Sequence, residues 1–226
     1  MKKAGKLKEA FREFLIAVMI AEGIRQGTKE KQIEFFSGEL SPLFEAYTNL
    51  ISCLSEQALR GEKRDSLFLP FGRTLSEAAF YFSEMIRGRY LLTSVSDSNL
   101  PIPLKNLPLN NNEVLLEYAI TENATYLFVV RKDKIKILKL EIKEKELKNI
   151  IERLKTNFDT LFRDNFFINR AKMAYDILLS DALKDVPFDH YVIIVPDRFL
   201  GLFPFEALVV EYRKGKKILY LLEIDG

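Results

Sequence analysis

"HYVIIVPDRFLGLFPFEALVV", residues 190 to 210, is the stretch that decides the fold. Its apolar run, Tyr191 to Val195, is short and unbroken, which is typical of a central strand with both faces buried. Pro196 ends the run because proline offers no N–H to a neighbouring strand. We expect the Asp197 side chain to bond its own backbone two residues on and to close the turn that follows.

The second half of this stretch carries a carboxylate into apolar surroundings. Pro204 suits the first position of a helix, and Glu206 would then lie near the helix N-terminus, where negative charge is favoured. An unpaired buried charge is costly, so we expect Glu206 to be buried and bonded to backbone N–H groups or a basic side chain. Pro196, Asp197, Pro204, Phe205 and Glu206 thus form a structural motif, and a catalytic Glu206 is the alternative.

Strands and helices alternate in the segment before this motif. "VLLEYAIT", "TYLFVVR" and "KIKILKL", which begin at residues 114, 125 and 134, have the β-branched and aromatic composition of strands. Lys132 and Asp133 form the turn between the last two. Two helices should follow, because apolar residues then recur at helical spacing. Their stripes are Leu147, Ile150, Ile151, Leu154 and Phe158, then Phe167, Ala171, Ala174, Tyr175, Leu178 and Leu179.

The front of the chain is predicted to be entirely helical. A first helix should run from Leu7 to Gln26, and a short one from Glu30 to Phe36. Two more, at 42–60 and 74–92, should pack as an antiparallel pair. Their seam should contain Leu50, Leu54, Ala78 and Phe82. The stripe of the first helix is Phe11, Phe14, Leu15, Val18 and Met19.

Local signals mark the ends of these helices. Ser41 followed by Pro42 is a start signal, because proline fits the first helical position. Gly61 should stop that helix. Thr74 with Glu77 makes a capping box at the start of the next one.

Residues 95 to 113, "VSDSNLPIPLKNLPLNNNE", interrupt this pattern with three prolines and five asparagines. Such a composition does not hold regular structure. We therefore divide the chain into a helical adaptor at 1–92, a linker at 93–112 and a sheet-and-helix domain at 113–226. The expected class is α+β or α/β, with a helical layer in front of a sheet-and-helix domain.

The bulk composition excludes several classes of function. The net charge is only +2, from 34 basic and 32 acidic residues, so the basic excess of a nucleic-acid binder is missing. The apolar run at Phe14 to Ala21 is too short to span a membrane. One cysteine, Cys53, allows no internal disulfide and fits a reducing cytoplasm. Together with a single histidine it provides no ligand set for zinc, and no cofactor motif occurs.

Two families resemble parts of the sequence, and the first is the tetratricopeptide repeat. "AYTNLISCLSEQALRGE" and "LSEAAFYFSEMIRGRYLL" are similar to the two helices of such a repeat at Ala46, Leu50, Ala78 and Tyr81. The connector between them is longer than in a regular repeat, and an ordinary helical hairpin is the alternative. The resemblance implies a protein partner for the helical layer.

The second resemblance is to the CHAT domain, a module of caspase- and separase-like cysteine peptidases. In that family an apolar strand is followed by Pro-Asp-Gly, a short apolar turn and Leu-Pro-Phe-Glu-Ala-Leu. Here Val192 to Arg198 reads Val-Ile-Ile-Val-Pro-Asp-Arg, and Phe203 to Leu208 reads Phe-Pro-Phe-Glu-Ala-Leu. The sequence departs at Arg198, where the family prefers glycine, and at Phe203, where leucine is commoner. "LLEYAI" is similar to the family's Leu-Leu-Glu-Tyr strand, and the resemblance covers about residues 42 to 223.

The resemblance implies a cysteine peptidase, but its catalytic residues have no counterpart here. The family's histidine and cysteine follow two later strands, as His-Gly and Ala-Cys. The only histidine, His190, precedes its strand, and the only cysteine, Cys53, belongs to the front helices. We therefore expect no catalytic residue in this chain, which would be the regulatory or structural front part of such a peptidase. A non-enzymatic interaction scaffold is the alternative.

Residues 216 to 223, "KKILYLLE", have the composition of a strand. In the family this segment leads into the catalytic sheet. An apolar strand edge left uncovered templates association with other chains. We therefore expect self-association through this segment, or a second polypeptide that covers it.

Overall fold

The computed structural model describes residues 2–27, 42–62, 71–91, 103–132, 134–158, 165–187, 189–211 and 219–221. The chain is a mixed α and β protein. It forms two compact units, one of Met1–Pro108 with Asp133–Ile137 and one of Leu109–Lys132 with Leu138–Gly226. We call them the helical unit and the sheet unit. The predicted helix at 30–36 and the cap at Ser41 lie outside the described residues.

The described residues of the helical unit form three helices: α1 (Lys2–Gly27), α2 (Pro42–Leu59) and α3 (Leu75–Leu91). Helix α2 contacts both of the others, which confirms the predicted contact between α2 and α3. Aromatic rings link α2 to α3, because the ring centroids of Tyr47 and Phe82 are 6.3 Å apart. Phe71, which precedes α3, adds a contact with Phe82 at 4.8 Å between centroids. The buried side chains include Phe11, Leu15, Val18, Leu50, Ile51, Leu54, Ala78, Ala79, Phe82 and Met85.

The helix end predicted at Gly61 is confirmed, and the start predicted at Thr74 is confirmed in part. Gly61 follows α2 with a φ of +66°. The Gly61 N–H bonds the Ala58 carbonyl, and the Glu62 N–H bonds the Gln57 carbonyl, which is the Schellman pattern that glycine permits. At α3 the Glu77 N–H donates to Thr74 Oγ1 at 3.1 Å, which is one of the two bonds of the predicted capping box. The reciprocal bond differs, because Glu77 Oε2 accepts the Arg73 N–H at 2.8 Å instead of the Thr74 N–H.

One side of α1 was assigned incorrectly. Met19 was placed on the buried stripe, yet it is exposed, as are Ile16 and Ile20 beside it. The buried stripe is narrower and consists of Phe11, Leu15 and Val18, spaced by four and three residues. Apolar residues occur on more than one side of this helix, so periodicity alone did not distinguish the side that packs.

Four strands form one sheet, in the order β3-β2-β1-β4. They are β1 (Glu113–Ile120), β2 (Thr125–Arg131), β3 (Lys134–Leu140) and β4 (Tyr191–Val195). Strands β1 and β2 are antiparallel, and β4 runs parallel to β1. The first three strands confirm the sequence prediction. A separate two-stranded ribbon pairs β5 (Val209–Glu211) with β6 (Leu219–Tyr220).

The predicted strand at 216–223 therefore appears only as Leu219–Tyr220 among the described residues, and it is paired. Self-association through that segment stays a prediction. Of its apolar side chains only Leu221 is described, and it is partly buried against the core of the sheet unit.

Helices α4 (Glu144–Phe158), α5 (Asn165–Leu178) and α6 (Ser180–Leu183) complete the sheet unit. Alternate residues of β1 face them, because successive side chains of a strand point to opposite sides. Tyr118 is one of these residues, and its hydroxyl donates to the Leu178 carbonyl at 2.9 Å. The core cluster also contains Val114, Leu116, Ile120, Leu127, Leu147, Ile151, Leu154, Phe167, Ala171 and Leu178.

The position of β4 corrects the first prediction. A central strand with both faces buried was expected, but β4 is an edge strand of the described sheet. Tyr191, Val192 and Ile193 are 69%, 38% and 40% exposed. The central place belongs to β1, which carries the buried Glu117 in its middle. An unbroken apolar run thus reflected composition rather than position in the sheet.

Candidate functional site

The motif after β4 folds as two short 3-10 turns. The first spans Arg198–Leu202 and the second Phe205–Ala207. Backbone bonds close them, from the Leu200 N–H to the Asp197 carbonyl at 3.0 Å and from the Ala207 N–H to the Pro204 carbonyl at 3.1 Å. The helix expected to begin at Pro204 is therefore a single turn.

Asp197 connects this motif to the end of β1. Its Oδ2 accepts the Ile120 N–H at 2.7 Å. This corrects the expectation that Asp197 would bond its own backbone, because the partner lies 77 residues earlier in the chain. A carboxylate that accepts a backbone N–H makes a charge-assisted hydrogen bond, which is stronger than a neutral one. Asp197 therefore holds the turn against the carboxyl end of β1.

Arg198 makes a second connection between this motif and the end of β1. Its Nη2 donates to the Ile120 carbonyl at 2.9 Å, and its Nη1 donates to Glu144 Oε1 at 2.6 Å. Its Nε lies 3.7 Å from Asp197 Oδ2, and the side chain is 7% exposed. Asp197 and Arg198 together therefore bind both backbone groups of Ile120. We call this arrangement of Ile120, Glu144, Asp197 and Arg198 the β1 clip.

The backbone at Arg198 has a φ of +45°, which is the left-handed region. Among the described residues, no other non-glycine residue has a positive φ. Glycine adopts this conformation without the clash that a Cβ causes. Arg198 therefore forms the clip from a backbone conformation that is unfavourable for arginine.

We expect Arg198→Gly to be more stable than Arg198→Ala by about 1 kcal/mol. Both variants lose the guanidinium bonds, so the difference isolates the backbone conformation. Urea denaturation of the two proteins measures it. Equal stability, or a more stable alanine variant, would show that the positive φ carries no cost.

Apolar side chains anchor the rest of the motif in the core. Leu200, Phe203, Phe205 and Leu208 are buried. The Phe205 ring lies 5.7 Å from the Tyr118 ring of β1 and 5.4 Å from the Phe203 ring, between centroids. The motif is therefore attached to β1 twice, by the clip at Ile120 and by Phe205 at Tyr118.

Glu206 does not have the role that the sequence suggested. It was expected to be buried and hydrogen-bonded, but it is exposed. Within the described residues it makes no hydrogen bond or ion pair, and the 3-10 turn that contains it has no side-chain cap. Its neighbours Phe205 and Leu208 turn inward while Glu206 faces solvent. The carboxylate that organises the motif is therefore Asp197, nine positions earlier.

Cys53 is not placed for nucleophilic chemistry. It is buried in α2 of the helical unit. Burial, and to a smaller extent the nearby charge of Glu56, raises the pKa of the Cys53 thiol to about 11. The thiol is therefore protonated at neutral pH, and a thiol is a weaker nucleophile and metal ligand than a thiolate.

His190 belongs to the other unit and has a local partner. Its Nδ1 lies 3.0 Å from Oδ1 of the adjacent Asp189, just before β4. This bond lowers the pKa of the Asp189 carboxyl.

The described residues contain no group of three or more histidine, cysteine, aspartate or glutamate side chains that could hold a metal ion. No helix in the described part of the chain is both long enough and apolar enough to cross a membrane.

Comparison with known families gives no assignment. No protein-family model matches the chain. No curated protein matches it either.

Proposed function

We propose that this chain is the front part of a CHAT-type, caspase-like module and that it contributes structure or regulation rather than catalysis. In this proposal the helical unit binds a protein partner, as tetratricopeptide repeats do. The sheet unit forms the first strands of the peptidase fold. The observation that supports it most is the β1 clip, because it gives the Pro-Asp-Arg sequence a specific structural task.

The backbone at position 198 supports the resemblance in a way that the side chain does not. The family prefers glycine there, and Arg198 has a φ of +45°, a conformation that suits glycine best. The residue differs, but the turn has the backbone that the family pattern requires. Three other residues support the resemblance. Pro196 ends the strand, Asp197 accepts the Ile120 N–H, and Phe205 contacts Tyr118.

The chain should have no peptidase activity by itself, because its only thiol is buried with a raised pKa. A caspase-like mechanism needs a thiolate within reach of a histidine base. We expect a panel of fluorogenic peptides to show no turnover above buffer. Hydrolysis that is present in this chain and disappears in Cys53→Ala would contradict the proposal.

A non-enzymatic scaffold is the second candidate, and one feature of α1 favours it. Ile16, Met19 and Ile20 are each more than half exposed and lie at helical spacing on one side of α1. Phe11, Leu15 and Val18 are buried, so the exposed stripe is additional to the packed one. Exposed apolar stripes of this kind are typical of protein-binding surfaces.

The coding sequence after residue 226 separates the two candidates. We expect it to continue into a segment with His-Gly and, after one more strand, Ala-Cys. The longer protein should then cleave a peptide substrate, and alanine at that cysteine should abolish cleavage. A stop codon after Gly226, or a continuation without such a pair, would overturn the peptidase proposal in favour of the scaffold.

A further inference from the structure

We draw no further inference here: the strongest candidate, the apolar edge strand β4 of the sheet unit with Tyr191, Val192 and Ile193 exposed, carries nothing because nothing in the structure shows what covers it.

Discussion

Asp197→Ala should destabilise the sheet unit by about 2–3 kcal/mol. The substitution removes the carboxylate that accepts the Ile120 N–H and leaves that donor without its partner. It also removes the acceptor beside Arg198 Nε, and that side chain is 7% exposed. Bonds to charged groups contribute about 1.5–3 kcal/mol each, and an unsatisfied buried donor adds its own cost.

Glu206→Ala is the matched control, because it removes a carboxylate from the same motif at an exposed position. We expect its effect to stay within about 0.5 kcal/mol. Urea denaturation measures the stability of each variant. Hydrogen exchange of peptides from β1 and β2 then reports on the sheet unit separately from the helical unit. If Glu206→Ala costs as much as Asp197→Ala, the roles of the two carboxylates are assigned incorrectly.

Phe205→Ala should have the largest effect of the substitutions considered, about 3–5 kcal/mol. The ring is buried, lies 5.7 Å from Tyr118 and 5.4 Å from Phe203 between centroids, and would leave a cavity against β1. Phe205→Leu keeps most of the apolar volume and should cost about 1–1.5 kcal/mol. The same denaturation measurement applies to both variants.

The test is the difference in stability between Phe205→Ala and Phe205→Leu. A cavity cost depends on the volume removed, so the alanine variant must be clearly the less stable of the two. Equal and small effects would mean that the motif does not pack on β1 through Phe205.

Sequence periodicity predicted the helices and strands of this fold well, because the residues of one face recur every three or four positions in a helix and every second position in a strand. The stripes at Leu147, Ile151 and Leu154, and the seam at Leu50 and Phe82, are buried as expected. Local chemistry located the helix ends equally well, since the partners at Gly61 and Thr74 lie within a few residues. Bonds between residues that are close along the chain can be recognised from the sequence alone.

The site was harder to predict, because its partners are distant along the chain. The bond between Ile120 and Asp197 crosses 77 positions, and sequence reasoning assigned Asp197 a local partner instead. Arg198 was noted only as a departure from glycine, yet it joins Ile120 to Glu144. A residue that replaces glycine at a tight turn was the available signal, since it must compensate for its backbone conformation by bonds of its own.

Two of the three incorrect burial predictions, those for Glu206 and β4, share one cause. Glu206 was expected to be inside because its neighbours are apolar, and β4 because its run is apolar. Both inferences used local hydrophobicity to predict burial. Burial depends on which elements lie alongside, and the described sheet places no strand beyond β4.

Hydrogen exchange at the Ile120 amide tests most directly whether the Pro-Asp-Arg turn is a structural clip. The amide donates to Asp197 Oδ2 at 2.7 Å, so it should exchange slowly in the unchanged chain. In Asp197→Ala its protection should fall roughly 30- to 150-fold, as a loss of about 2–3 kcal/mol implies, while Glu206→Ala leaves it unchanged. An Ile120 amide that exchanges as fast as an open chain, or whose protection is the same in Asp197→Ala, would contradict the clip.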